Sequence, residues 1–201
     1  MSQGTHATSM VRAGFVGGAK GTWKIERLEA VRGPSLPVAA RLEVVFGPAP
    51  NLPSAAWVLR GVTSHERYVT RTEHERLAAV QPSLDRAQAT RAALIPIAKS
   101  ADWWELHQDE RRAIFEEDSD HIATGLEYLP AVARRLYHSR ELGEPFDFLT
   151  WFEYAPADAV AFEQLVARLR NTREWDYVER EVDIRLARQG PIRMRRNMLK
   201  E

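Results

Sequence analysis

The sequence predicts an α+β protein, an antiparallel sheet covered by helices on one face. Three observations lead there. Runs of alternating apolar and polar residues, the mark of strands with one buried face, occur near both ends of the chain. Between and beyond them lie longer stretches with helical spacing, so strands and helices mix in runs along one chain. Hydrophobic residues make up 44% of the 201 residues, enough to bury a core.

Taken in order, residues 1–20 are rich in Gly and Ser and are expected to be loose. Trp23 to Val31 and Arg41 to Phe46 read as strands; in the second, Leu42, Val44 and Phe46 alternate with Arg41 and Glu43. Gly47 to Pro53 is a loop, because its closely spaced prolines remove donors and restrict their neighbours. Ala56 to Val62 is the next strand. A short helix is predicted over Thr72 to Val80, with Thr72 as cap and Pro82 beyond its end. Ala92 to Ala98 is an apolar strand in which Pro96 implies a bulge or an edge.

From Asp102 to about Ser139 the chain is helical in character, with a break at Pro130. Asp147 to Tyr154 is a strand that places Phe148, Thr150, Phe152 and Tyr154 on one face. Ala157 to Tyr177 is an amphipathic helix with Phe162, Leu165, Val166 and Leu169 at helical spacing. Val182, Ile184 and Leu186 mark a last strand. The basic stretch from Arg193 to Glu201 reads as a solvated tail.

Composition removes several functional classes. Basic and acidic residues number 28 each, so a strongly basic nucleic-acid footprint is absent. There is no cysteine, which excludes disulfides, cysteine-ligated zinc, iron–sulfur clusters, thiolate-ligated haem and a thiol nucleophile. No segment is long and apolar enough to span a bilayer, and the opening residues lack the apolar stretch of a signal peptide. The expectation is a soluble cytoplasmic protein, or a periplasmic one if a signal has been removed.

The common motifs are missing too. There is no phosphate-binding P-loop, no Gly-x-Gly-x-x-Gly and no Gly-x-Ser-x-Gly. The six histidines form no His-x-x-x-His pair, and a lone histidine such as His121 reads on its own as a helix-surface or partly buried residue with no ligand.

Three segments, taken in order, are more specific: Ile95 to Trp104, His121 to His138, and Pro145 to Glu153. Within them, Arg134-Arg135-Leu136-Tyr137-His138-Ser139 and the strand Phe146 to Phe152 stand out. Together they resemble the chlorite dismutases, in particular the short, dimeric branch. The likeness spans roughly Leu59 to Arg188.

The resemblance implies a dimeric ferredoxin-like α+β barrel of two ferredoxin-like halves, the first trimmed. On that reading residues 1–20 are a loose segment, 21–98 the trimmed half, 99–190 the haem-binding half and 191–201 a basic tail. It implies haem b as cofactor, a homodimer, and conversion of chlorite to chloride and molecular oxygen with formation of the O–O bond. By the same resemblance His121 is the axial ligand of the haem iron, Glu174 accepts its other ring N–H, and Lys99 pairs with Glu174. Arg134 is the charged distal residue that holds the anionic fragment of chlorite. Gln81 is a hydrogen-bond partner for Arg134, Thr150 and Phe152 are distal walls, Trp103 and Trp104 are aromatics near the haem, and Tyr68 is a propionate contact.

One geometric condition follows. Thirteen residues of unbroken helix between His121 and Arg134 would separate them by ~20 Å, so two groups flanking one haem require the break at Pro130. The nearest rival is coproheme decarboxylase, a relative of the same fold that resembles this chain at the histidine but has a neutral residue where Arg134 stands. A non-enzymatic haem carrier is the other alternative.

Overall fold

A computed structural model of the chain describes residues 10–48, 52–63 and 69–189. Eight antiparallel strands form it: β1 (Arg12–Gly18), β2 (Trp23–Arg32), β3 (Arg41–Phe46), β4 (Trp57–Val62), β5 (Arg91–Lys99), β6 (Ala133–His138), β7 (Phe148–Tyr154) and β8 (Val178–Arg188). They close into a barrel in the order β1-β3-β2-β8-β5-β7-β6-β4. Five helices accompany them: α1 (Arg71–Val80), α2 (Ala101–Glu105), α3 (Gln108–Arg112), α4 (His121–Glu127) and α5 (Ala159–Arg170). A π-helical turn (Ala113–Glu117) follows α3, and a 3₁₀ turn (Arg173–Tyr177) follows α5.

The two halves differ in content. From β5 to β8 the chain runs strand, helices, strand, strand, helix, strand, the ferredoxin-like order. From β1 to β4, among the described residues, it runs strand to strand with no helix between. This is a ferredoxin-like half reduced to its sheet.

Strand alternation creates two cores. Phe15, Trp23, Leu42, Leu59, Leu94, Leu149, Trp151, Ile184 and Leu186 pack inside the barrel. On the outer face, Ala93, Ile95 and Phe152 meet Phe162, Leu165, Val166 and Leu169 of α5. Each such fully buried side chain contributes ~1.5–3 kcal/mol. Stacking of Tyr154 on Phe162, with centroids 4.4 Å apart, fixes α5 against β7. The outer face of β8 is charged yet buried: Glu181, Asp183 and Arg185 lie under α5 and are paired with one another and with Arg170.

Several expectations are corrected. Within residues 1–20, expected to be loose, Arg12 to Gly18 form β1, and residues 1–9 lie outside the described chain. One of its glycines is there for close approach: a Cβ on Gly17 would lie 2.1 Å from the Trp57 ring. The cap of α1 is Thr70, not Thr72. Thr70 Oγ1 accepts the Glu73 N–H while Glu73 accepts the Thr70 N–H at 2.7 Å, the Thr-x-x-Glu capping box. Pro96 lies neither at an edge nor at a bulge: β5 pairs with β7 and β8, pairing with β8 is interrupted at Ile95 and Pro96, and the bulge falls at Ala98/Lys99.

The largest correction concerns residues 133–138, expected to be helical and found as β6 in register with β7. The helix expected to run to Tyr177 ends at Arg170, which places Glu174 on the 3₁₀ turn. The basic tail lies outside the described residues.

Candidate functional site

Between the helical layer and the outer face of β5, β6 and β7 lies a largely apolar cavity, about 900 Å³ of space when the part open to solvent is included. One wall is helical and hydrogen-bonded. The other is a patch of sheet.

The helical wall centres on His121, the first residue of α4. Asp120, just before it, has φ 49°, a left-handed conformation uncommon outside glycine. The Glu116 carboxylate, reaching from the π-turn, accepts the N–H groups of Ile122 (2.6 Å) and Ala123 (3.2 Å) and so caps α4. Phe115 stacks on the His121 ring, with centroids 4.2 Å apart. His121 Nδ1 lies 2.6 Å from Glu174 Oε2. The other Glu174 oxygen accepts from Lys99 Nζ at 2.8 Å, and Lys99 also donates to the Glu174 carbonyl at 3.1 Å. The Glu174 N–H donates to Ser119 Oγ at 3.0 Å.

Glu174 is buried, which by itself raises a carboxyl pKa. The charges of His121 and Lys99 and hydrogen bonds from both outweigh burial and hold it at about 2. Burial pulls the Lys99 ammonium below its usual value, and Glu174 opposes this. An ionised carboxylate can only accept, so Nδ1 is the donor in the 2.6 Å bond. Nε2 is then the ring nitrogen available to a metal.

The sheet wall consists of three cross-strand pairs, Arg134↔Phe152, Leu136↔Thr150 and His138↔Phe148, and all six residues line the cavity. The condition set by the thirteen-residue separation is met by folding back. α4 ends at Glu127, Pro130 lies in the turn that follows, and the chain returns as β6. The Arg134 guanidinium rests against α4: a Cβ on Gly125 would lie 2.5 Å from its Nη1. Gly125 is one turn on from His121 and shares its helix face.

The structure gathers Lys99, Trp103, His121, Arg134, Thr150, Phe152 and Glu174 around this one cavity. Gln81 reaches Arg134 through the backbone, Nε2 donating to the Arg134 carbonyl at 3.0 Å. Trp104 is outside the lining. Its indole N–H donates to Asp147 at 3.3 Å, and the Arg140 guanidinium sits 4.0 Å from the ring centroid. Tyr68 lies outside the described residues. Sequence reasoning assigned no role in the site to Phe115, Glu116, Ser119, Leu136, His138 or Glu181. Leu136 and His138 join the site because residues 133–138 form a strand, and the others because of the fold alone.

A lone imidazole suits a metal already held by a macrocycle better than a bare ion. Among the described residues no group of three or more His, Cys, Asp or Glu side chains gathers as a cage. The locked imidazole, the roomy apolar cavity and a cation on the sheet wall together fit haem.

The sequence profile of the family described as chlorite dismutase matches residues 51–190. A chlorite dismutase from Ideonella dechloratans is 38% identical over 86 residues, which cover 43% of this chain and 28% of that protein. The solved dimeric chlorite dismutase from Nitrobacter winogradskyi is 60% identical, with a TM-score of 0.82 over 88% of this chain and 99% of that one. A mutant chlorite dismutase from Candidatus Nitrospira defluvii, 20% identical, superposes with a TM-score of 0.59 over 90% and 92% of the two chains, a likeness of fold. No helix of the described residues is long and apolar enough to cross a membrane.

Proposed function

The chain belongs to the chlorite dismutase family, and from that premise we propose that it binds haem b and converts chlorite to chloride and molecular oxygen. The observation that carries this reading is the His121–Glu174–Lys99 chain, its carboxylate and ammonium buried, facing a cavity whose sheet wall bears Arg134. His121 would ligate the iron through Nε2. Glu174 fixes the tautomer and makes the imidazole more basic, and Lys99 neutralises the buried carboxylate. Bound haem supplies the redox chemistry on the oxygens of chlorite.

The side chains do the rest. Arg134 is a permanent cation with a forked donor set, suited to an oxyanion. Its task is confinement: a hypochlorite-level fragment that escaped would oxidise the protein, so it must stay until the O–O bond forms. Thr150, Phe152, Leu136 and Phe148 close the wall around it and keep bulk water from competing. The reaction balances without an external electron donor, ClO₂⁻ giving Cl⁻ and O₂. Arg134 favours this activity over coproheme decarboxylation, where the resemblance places a neutral residue at that position. The protein acts as a homodimer, as the dimeric relative at 60% identity supports.

The test is an oxygen-electrode trace on adding chlorite to haem-loaded protein. One O₂ per chlorite is expected. A Soret band without oxygen release would leave a haem carrier, and no Soret band would remove the cofactor altogether.

A further inference from the structure

Glu181 lines the same cavity and is fully buried, yet nothing above uses it. Its Oε1 accepts from Arg170 Nε at 2.8 Å and from Arg170 Nη2 at 2.5 Å, and its Oε2 accepts the Trp175 indole N–H at 2.8 Å. Every strong contact of this carboxylate therefore points at one guanidinium and one indole. The Trp175 ring centroid lies 5.5 Å from Lys99 Nζ. Trp103 covers the ammonium as well, its centroid 4.5 Å away. The lysine that holds Glu174 is thus flanked by two indoles, and the orientation of one of them is set by Glu181.

Trp175 also follows Glu174 directly on the 3₁₀ turn, and its carbonyl accepts from Arg32 Nη1 at 2.9 Å. An ammonium near indole faces is attracted by the ring quadrupole, more strongly once water is excluded. Turning the Trp175 ring would change both the field on Lys99 and the set of the turn that presents Glu174.

We infer that Glu181 and Trp175 are positioning residues for the axial ligand: Arg170 fixes Glu181, Glu181 fixes the Trp175 indole, and that ring holds Lys99 and Glu174 in register with His121. The inference rests on the reading of His121 as the haem ligand. Its signature is electronic. If the Glu174 hold on the imidazole N–H loosens, the ligand becomes a poorer donor to iron, the reduction potential of the haem rises, and the iron–histidine stretch of the ferrous protein falls in frequency.

The experiment compares Trp175→Phe and Glu181→Gln with Glu174→Ala in haem-loaded protein, by spectroelectrochemistry and resonance Raman. Trp175→Phe keeps an aromatic ring and removes the N–H. Glu181→Gln keeps the shape and removes the charge. Both should raise the potential and lower the stretch, by less than Glu174→Ala does, with haem affinity falling less than the ~10–100-fold typical of a direct outer-shell partner. If Glu174→Ala shifts both readouts and Trp175→Phe matches wild type in both, the positioning role is overturned and the ligand assignment stands. If Glu174→Ala also matches wild type, the ligand assignment falls and the positioning role with it. Should Glu181→Gln fail to fold, Trp175→Phe alone decides.

Discussion

The two walls of the cavity are built on different principles. The helical wall is a closed chain of buried polar contacts, in which each oxygen of Glu174 has its own donor and the N-terminus of α4 has its cap. The sheet wall is a set of side chains placed by strand register, and its central residue, Leu136, is 44% exposed. A hydrogen-bonded chain suits a permanent ligand, whose donor strength must be constant. A register-placed patch that is half-exposed at its centre suits the passage of a small substrate.

Substitutions can break or sharpen that contrast. The largest effect is expected on the helical wall: His121→Ala should abolish stable haem binding, read as loss of the Soret band after gel filtration. Full retention with an unchanged spectrum would dismiss the ligand. Next, Glu174→Ala or Lys99→Ala should lower haem affinity ~10–100-fold with the fold intact by circular dichroism.

The same carboxylate gives a pH test. Its pKa is about 2 in the fold against 4.5 ordinarily. Its stabilising contribution is therefore complete above about pH 4.5 and is lost as pH falls toward 2. The difference in urea midpoint between cofactor-free wild type and Glu174→Gln should be flat above pH 5 and shrink below it. A difference that stays constant down to pH 3 would place Glu174 outside the ion-paired chain.

On the sheet wall, Arg134→Gln should leave haem in place and release hypochlorite. A charged hydrogen bond is worth ~1.5–3 kcal/mol, which is about 10–100-fold in retention of the fragment. Methionine added as a trap should protect the variant more than wild type. Equal lifetimes and equal oxygen yield would show that the guanidinium confines nothing.

The smallest effect is expected from Gly125→Ala. Alanine is the better helix former by up to ~1 kcal/mol, but its Cβ meets the Arg134 guanidinium at 2.5 Å and must push that flexible end aside. Stability should hold or rise slightly while hypochlorite leakage moves toward that of Arg134→Gln. Unchanged leakage would mean that the seat of Arg134 on α4 does not matter.

How much of this the sequence disclosed depends on the wall. β3, β7 and β8 were readable because one face of each is apolar, and α5 because four apolar residues repeat at helical spacing. β6 was not. Its cavity face is Arg134, Leu136 and His138 and its other face Ala133, Arg135 and Tyr137, so neither face is uniformly apolar and no period of two emerges. Helix-favouring residues such as Ala, Arg and Leu then biased the local reading, and pairing with β7 overrode it. β1 was hidden by its glycines, of which Gly17 makes room for the Trp57 ring. The site residues His121, Glu174, Lys99 and Arg134 came from resemblance, since nothing local marks a lone histidine or a buried lysine; their meeting at one cavity depends on contacts up to 75 residues apart in sequence.

The barrel is not stitched evenly. Among the described residues β6 shares six register pairs with β7, from Ala133↔Glu153 to His138↔Phe148, but meets β4 at the single pair Val62↔His138. Among the described residues, the strand that bears Arg134 is therefore paired along the whole of one edge and at one position along the other. Opening energies in native proteins follow such local hydrogen-bonding density. Amide exchange should accordingly begin at the β4–β6 seam and reach β5, which is paired on both sides, last. A barrel that unzips along one known line can breathe beside its cavity while the rest of the sheet stays shut.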